Sequence, residues 1–351
     1  MPPSNPRSEV RPAGIRSALG RLAPVARPVF AVLIFLAIGY AVASEWQGVR
    51  SALLTLDWPS VVLSFVAAFA GTVTSLMAWR ALLAHEGHPL PVLVAGRIFF
   101  VGQLGKYLPG SVWSIVMQME LAKSAGVQRG RAFTTSLAWV GLSLSTALCM
   151  GVLGFPVLAS AHQGQVWVLV AMLPFALVAS APPVLTRLVN LVLRIMRKGP
   201  LPKALSWRGV LTACAWLSAT WVLFGLHLWL LANALGAPGL SGVTRCIGGF
   251  ALAMAAGVIF VFAPSGAGVR EALIVAALSP VMTTGQALGI AVVSRALFIL
   301  ADVSSAGAAA LSGVRRIRAG QADAPADRPT DGQGELSLDR PASEAVSPSP
   351  R

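Results

Sequence analysis

Ala263-Pro264-Ser265-Gly266-Ala267-Gly268-Val269-Arg270-Glu271 interrupts an apolar run that extends from about residue 246 to 280. Proline removes a backbone donor and glycine relaxes the chain, so one helix ends here and another begins. The arm after the break is about a dozen residues, roughly 18 Å of helix, which falls short of a ~30 Å hydrocarbon core. Broken backbone at membrane depth is tolerated only where protein or a wet cavity satisfies its polar groups. The segment therefore reads as a re-entrant hairpin or a discontinuous helix lining a cavity. A second apolar segment, about 92–122, is broken in the same way by Pro109-Gly110.

The composition places both segments in a bilayer. Of 351 residues, 56% are hydrophobic and 11% charged, yet the net charge is +14, and the mean hydropathy is +0.73. A soluble domain carries about 25% charged residues, and disorder needs the opposite composition. Nucleic-acid binding needs basic residues gathered on a folded, water-exposed face; no nucleic-acid partner is expected. A polytopic all-α membrane protein accounts for both numbers. About six full spans are expected, near 29–43, 59–83, 132–160, 166–190, 210–235 and 285–312. Ala41-Val42-Ala43 before Ser44 looks like a signal-peptidase site, but the first segment is read as an uncleaved span. Trp46, Trp58, Trp167 and Trp207 near span ends suit interfacial belts. The cysteines, Cys149, Cys214 and Cys246, lie in or beside apolar runs and suggest neither disulfides nor a metal cluster.

With the N-terminus inside and each hairpin returning to its own side, 22 Lys and Arg fall inside and two, Arg50 and Arg245, outside. This asymmetry orients the chain with both termini in the cytoplasm. Residues 1–28 form a basic cytoplasmic segment, 29–312 the membrane domain and 313–351 a disordered cytoplasmic tail, with no soluble catalytic domain. The segments 59–160 and 210–312 each read as span, hairpin, span. Pro109 lies 23 residues before Ala132, and Pro264 lies 23 before Ala287. Two such units entering from opposite sides would be an inverted repeat, the pattern of transporters with a midplane site.

Ionisable groups in the hydrocarbon are functional candidates by default. Arg270 and Glu271 follow the second break, where backbone N–H groups at a helix start attract anions. Arg270 adds a bidentate fork for phosphate or carboxylate, with Glu271 orienting it; the alternatives are a structural ion pair or a snorkelling arginine. Lys106, three residues before Pro109, would meet a phosphate as a point charge, or snorkel; donors after Gly110, including Ser111, would help. Gln103 and Gln118 on the same hairpin would line a cavity or make plain interhelical hydrogen bonds. Glu120 is either functional or paired with Lys123. Arg295 and Asp302 are seven apart and share a helix face; they would line a charged path, or compensate each other or neighbouring helices. His85 and His88 have the wrong spacing for a helical zinc motif and read as a solvated turn. His162 lies in an outside loop. His227 reads as a hydrogen-bonded structural histidine. No nucleophile–base arrangement, metal site or cofactor motif is present.

The stretches Gly102-Gln103-Leu104-Gly105-Lys106-Tyr107-Leu108-Pro109-Gly110-Ser111 and Ala263 to Glu271 resemble the lysylphosphatidylglycerol synthase transmembrane-region family, often called flippase-like domain proteins. The likeness covers roughly residues 30–312. By position, Lys106, Pro109, Gly110, Pro264, Gly266, Gly268, Arg270 and Glu271 match its motifs. The resemblance implies a relative of the lipid-translocating half of bacterial aminoacyl-phosphatidylglycerol synthases, in the bacterial cytoplasmic membrane. Family members are fused to, or work beside, glycosyltransferases on lipid carriers, so a glycosyltransferase or aminoacyl-transferase partner is implied. Relatives often carry an acidic–arginine pair in the span after the first hairpin, where this chain has Ala138-Trp139. The aminoacyl-transferase domain is absent, so lysyl transfer is not expected.

The leading expectation is a translocase for an anionic or phosphate-bearing lipid, with the head group between the two hairpins. Its rivals are a membrane-embedded transferase or accessory subunit using Glu271 or Glu120 as its carboxylate, and a non-catalytic scaffold.

Overall fold

A computed structural model of the chain describes residues 40, 43–44, 46–107, 112–152, 173–201, 204–236, 239–260 and 266–322. The chain divides into two units, 1–314 and 315–351; the packing below is that of the first, and the described residues 315–322 of the second are helical. Among the described residues every regular element is helical. They are α1 (Trp46–Thr55), α2 (Trp58–His85), α3 (Val92–Gln103), a 3-10 turn (Leu104–Tyr107), α4 (Trp113–Ser124) and α5 (Arg129–Gly151). Then follow α6 (Leu173–Ser180), α7 (Pro182–Ile195), α8 (Trp207–Ala234), α9 (Gly239–Ile259), α10 (Val269–Leu278) and α11 (Thr284–Ala322). Among the described residues, five helices are long and apolar enough to cross a membrane, six if α6 and α7 count as one.

α2 and α8 form the central pair, each of 28 residues. Both begin with a capped tryptophan: Asp57 accepts from Ser60 N–H at 3.0 Å, and Ser206 from Gly209 N–H at 3.1 Å. Such caps satisfy donors that a helix start otherwise leaves orphaned. The pair runs antiparallel, since Ser64 meets His227 while Thr74 meets Thr220 at 2.9 Å. In lipid no hydrophobic drive holds helices together, so small residues bring the backbones close. The first half of the buried face of α2 is small (Ser64, Ala68, Gly71, Thr72 and Ser75), with Leu76, Trp79, Leu82 and Leu83 buried further on, while Leu63 and Val66 are exposed, as suits a lipid-facing side.

The first broken segment is a hairpin of two 12-residue helices, α3 and α4. A Cβ on Gly102 would lie 2.4 Å from Gln118 Cγ, and one on Gly105 2.6 Å from the backbone N of Ser114. The arms thus fold back at glycine contact distance. At ~1.5 Å per residue each reaches only ~18 Å. Pro109, Gly110 and Ser111 lie outside the described residues.

The second broken segment differs from the expected 246–280. Its first arm, α9, begins at Gly239 and runs 21 residues, while its second, α10, has 10. α9 is long and apolar enough to span; Arg245 falls within it and cut short the apolar run visible in sequence. The arms still fold together, since a Cβ on Gly249 would meet Ala277 Cβ at 2.6 Å and one on Gly266 would meet Gly257 Cα at 2.6 Å. Pro264 lies outside the described residues.

Two other expectations change. The stretch 166–190 is not one straight span in its described part: α6 and α7 meet at an 82° bend, because Pro182 and Pro183 open α7 and stop the preceding helix. α7 buries a stripe of Leu185, Val189 and Leu193 and orders the chain into α8, with Asn190 and Thr186 accepting from the N–H groups of Leu201 and Leu205. Residues 46–55, read as an outside loop, form α1. Its Gly48 and Ala52 pack on Gly285 and Gly289 of α11, where added Cβ atoms would sit 2.7 and 2.8 Å from backbone and Cβ neighbours. This is small-xxx-small packing from both helices. The tail expected to be disordered from 313 instead starts as helix, α11 running on to Ala322; its remainder, 323–351, and the expected first span 29–43, His162 and Trp167 lie, wholly or nearly so, outside the described residues.

Candidate functional site

Both hairpins converge on α11, whose start is fixed by a capping box between Thr283 and Gln286. The turn at the end of α3 carries Lys106 and Tyr107. Lys106 Nζ lies 2.6 Å from Asp302 Oδ2, and the Tyr107 hydroxyl donates to the same oxygen at 2.5 Å. Asp302 is buried, whereas the Lys106 side chain is 30% exposed. One hydrogen-bonded, charge-paired acid thus sits beneath a partly accessible cation.

The second hairpin reaches α11 through the start of α10. Gly266 and Gly268 have φ of +67° and +84°, a conformation that glycine adopts without penalty. This turn lets Glu271 fold back and accept the Gly268 N–H at 2.7 Å. Its other oxygen accepts from Arg295 at 2.5 Å. Glu271 therefore does not orient Arg270: both of its oxygens are committed to the helix cap and to α11.

Arg270 is 5% exposed. Its guanidinium lies 4.8 Å from the ring centre of Phe250 and 4.5 Å from that of Phe298, favourable cation–π geometry. It donates a long hydrogen bond, 3.4 Å, to Ser294. Among the described residues no ion pair includes Arg270; Asp302 pairs with Lys106 and Glu271 with Arg295. Arg270 is nevertheless electrostatically coupled to Glu271, Arg295, Tyr107 and Asp302, so all belong to one charged group. That group holds three cations and two carboxylates, a net +1.

Behind Arg270 stands His227, fully buried. Its Nε2 lies 2.9 Å from Ser294 Oγ and its Nδ1 2.7 Å from Ser64 Oγ. Ser64 donates its hydroxyl to the His227 carbonyl, so its oxygen is free to accept from Nδ1–H. Ser294 accepts from Arg270 and donates to Nε2. The network assigns the neutral Nδ1–H tautomer and ties α2, α8 and α11 to Arg270. His227 is the hydrogen-bonded histidine that the sequence reading expected, but its chain ends on the site arginine.

The remaining candidates fall elsewhere. Gln118 is buried and accepts from Ser136 at 2.5 Å, and Ser136 in turn accepts from Trp79 at 3.1 Å. That is an interhelical hydrogen-bond network. Gln103 is half-buried at the end of α3. Glu120 is exposed and pairs with Arg129 across the α4–α5 turn, not with Lys123. Arg295 and Asp302 do share a face of α11, but each binds a different hairpin rather than the other. Sequence reasoning missed Tyr107, Ser294, Ser64, Phe250 and Phe298 as partners. Uncharged side chains cost much less in lipid than charges do, so nothing in the sequence singles them out.

The family model described as the lysylphosphatidylglycerol synthase TM region matches residues 25–303. The match takes in both hairpins and the part of α11 on which they meet. No curated protein matches the chain. Family and helices together make it a multi-pass integral membrane protein related to lipid handling.

Proposed function

We propose that this chain, which belongs to the lysylphosphatidylglycerol synthase TM region family, is a lipid translocase of the bacterial cytoplasmic membrane, with both termini in the cytoplasm. The observation that carries the reading is Arg270, a buried cation with no carboxylate of its own among the described residues, in a group of net +1. A phosphodiester carries one negative charge and neutralises it. Arginine offers that phosphate two parallel donors, and Lys106, partly exposed, adds a point charge. The head group enters between the hairpin tips while the acyl chains stay in lipid.

The two units, 58–151 and 207–312, act as an inverted repeat. Their first helices have equal length, similar caps and antiparallel packing, which is what a pseudo-two-fold axis in the membrane plane requires. Rocking of one unit against the other would present the site to each leaflet in turn. The transferase reading needs a free carboxylate. Glu271 has both oxygens engaged, and Glu120 is exposed in an ion pair.

A head-group accessibility assay in proteoliposomes tests the reading. With a fluorescent anionic phospholipid and a membrane-impermeant quencher, wild-type protein should expose inner-leaflet label well above the empty-vesicle rate. Arg270→Gln should fall back to that background. Equal rates for wild type, variant and empty vesicles would remove the translocase.

A further inference from the structure

A second charged cluster, half-buried, lies at the far end of α2. Glu86 forms the C-terminal cap of α2 and lines a small cleft with His85, Leu205 and Ser206. Thr135 donates to its Oε2 at 3.2 Å. Its Oε1 is buried without a hydrogen-bond partner, and so is Nε of the neighbouring Arg131. Arg131 instead directs its NH1 to the Glu86 carbonyl at 3.2 Å and to His88 Nδ1 at 2.9 Å. Among the described residues the two side chains form no ion pair.

A buried, ionised carboxylate beside an arginine would not leave both groups half-satisfied. The C-terminal end of a helix also disfavours negative charge. This arrangement suits a neutral carboxyl better than an ionised one. Burial raises its pKa from 4.5 to about 7, against the lowering effects of Thr135 and Arg131. The other groups facing it are His85 on α2, His88 on the loop and the capped N-terminus of α8, where a Cβ on Gly209 would touch His85 at 2.9 Å. Arg80 is held by the Leu90 carbonyl at 2.7 Å, Arg208 is exposed, and Lys198 is turned onto Phe133.

We propose that Glu86 is a proton-binding site that governs the loop leading into the first hairpin. With the proton bound, Arg131 grips the Glu86 carbonyl and His88, and the 86–91 loop holds α3 in place. When the proton leaves through the cleft, the carboxylate captures Arg131 Nε. The grip on the loop is lost, and α3, which carries Lys106 at its end, is released. The consequence for lipid movement rests on the translocase reading; the proton site does not.

A spin label at Pro89→Cys, an exposed position, in a chain lacking Cys149, Cys214 and Cys246, reads the loop directly. In lipid nanodiscs the mobile fraction should rise from pH 5 to 8 with a midpoint near 7. Glu86→Gln should abolish the rise and hold the label immobile, while His88→Gln should keep it. A rise that survives in Glu86→Gln and disappears in His88→Gln would assign the titration to the histidine and overturn the proposal, as would no rise at all. Unlabelled protein supplies a second readout. A carboxyl whose folded pKa is raised stabilises fully below about 4.5, and that stability is lost as pH rises through about 7. The wild-type Tm should therefore fall relative to Glu86→Gln between pH 5 and 8; parallel curves contradict the site. Loop titration in nanodiscs without lipid exchange in the proteoliposome assay would keep the proton site and remove the translocase.

Discussion

The two hairpins solve one problem in different ways. The first has equal arms of 12 residues and reaches α11 with a partly exposed lysine that is already paired. The second has arms of 21 and 10 residues and reaches the same helix with a buried arginine stacked on two phenylalanines. A lysine ammonium is a compact, hydrated point charge, whereas a guanidinium is planar and weakly hydrated and tolerates burial against rings. On the translocase reading proposed above, the second hairpin would be the fixed half that holds the anion, and the first the lighter half that approaches and withdraws.

The largest effect should come from the fixed half. Glu271→Gln removes the carboxylate that pairs with Arg295, and removing one partner of a buried pair costs about 3–5 kcal/mol. Thermal unfolding in detergent should show this as the largest loss among the variants considered. A loss no larger than that of Lys106→Gln would erase the distinction between the halves.

Hairpin closure comes next. Gly105→Ala places a Cβ 2.6 Å from the Ser114 backbone, and overpacking of this kind costs about 1–3 kcal/mol. Gly257→Ala meets Gly266 Cα at 3.3 Å and should cost less. Unfolding midpoints in the opposite order would mean that the first hairpin is the looser-packed one. Lys106→Gln should be milder still, about 1 kcal/mol, because Asp302 keeps its hydrogen bond from Tyr107; its main effect should be on translocation rate. Glu120→Ala breaks an exposed pair and should change stability by under about 1 kcal/mol, with the lipid-exchange rate unaltered.

Much of this fold was legible in hydropathy. The expected spans 59–83, 210–235 and 285–312 fall within helices Trp58–His85, Trp207–Ala234 and Thr284–Ala322 to within a residue or two, because long uninterrupted apolar runs have one stable state in lipid. α1 was missed because it is short and carries Arg50. Its local signal was the Gly48 and Ala52 spacing, matched by Gly285 and Gly289, which matters only once both helices are known to touch. The early start of α9 was hidden by Arg245. At the site, the charged residues announced themselves by their cost in lipid, but their pairing did not. The seven-residue spacing put Arg295 and Asp302 on one face, and only the convergence of two hairpins on α11 gave each a separate partner. The phenylalanine and serine partners of Arg270 have no signature outside the fold.

The central claim is that Arg270 holds a lipid phosphate. Native mass spectrometry of the purified protein with an anionic phospholipid tests it most directly. The account predicts a one-lipid adduct on wild type and on Glu120→Ala that is lost from Arg270→Gln. The same adduct, at the same occupancy, on Arg270→Gln would contradict it.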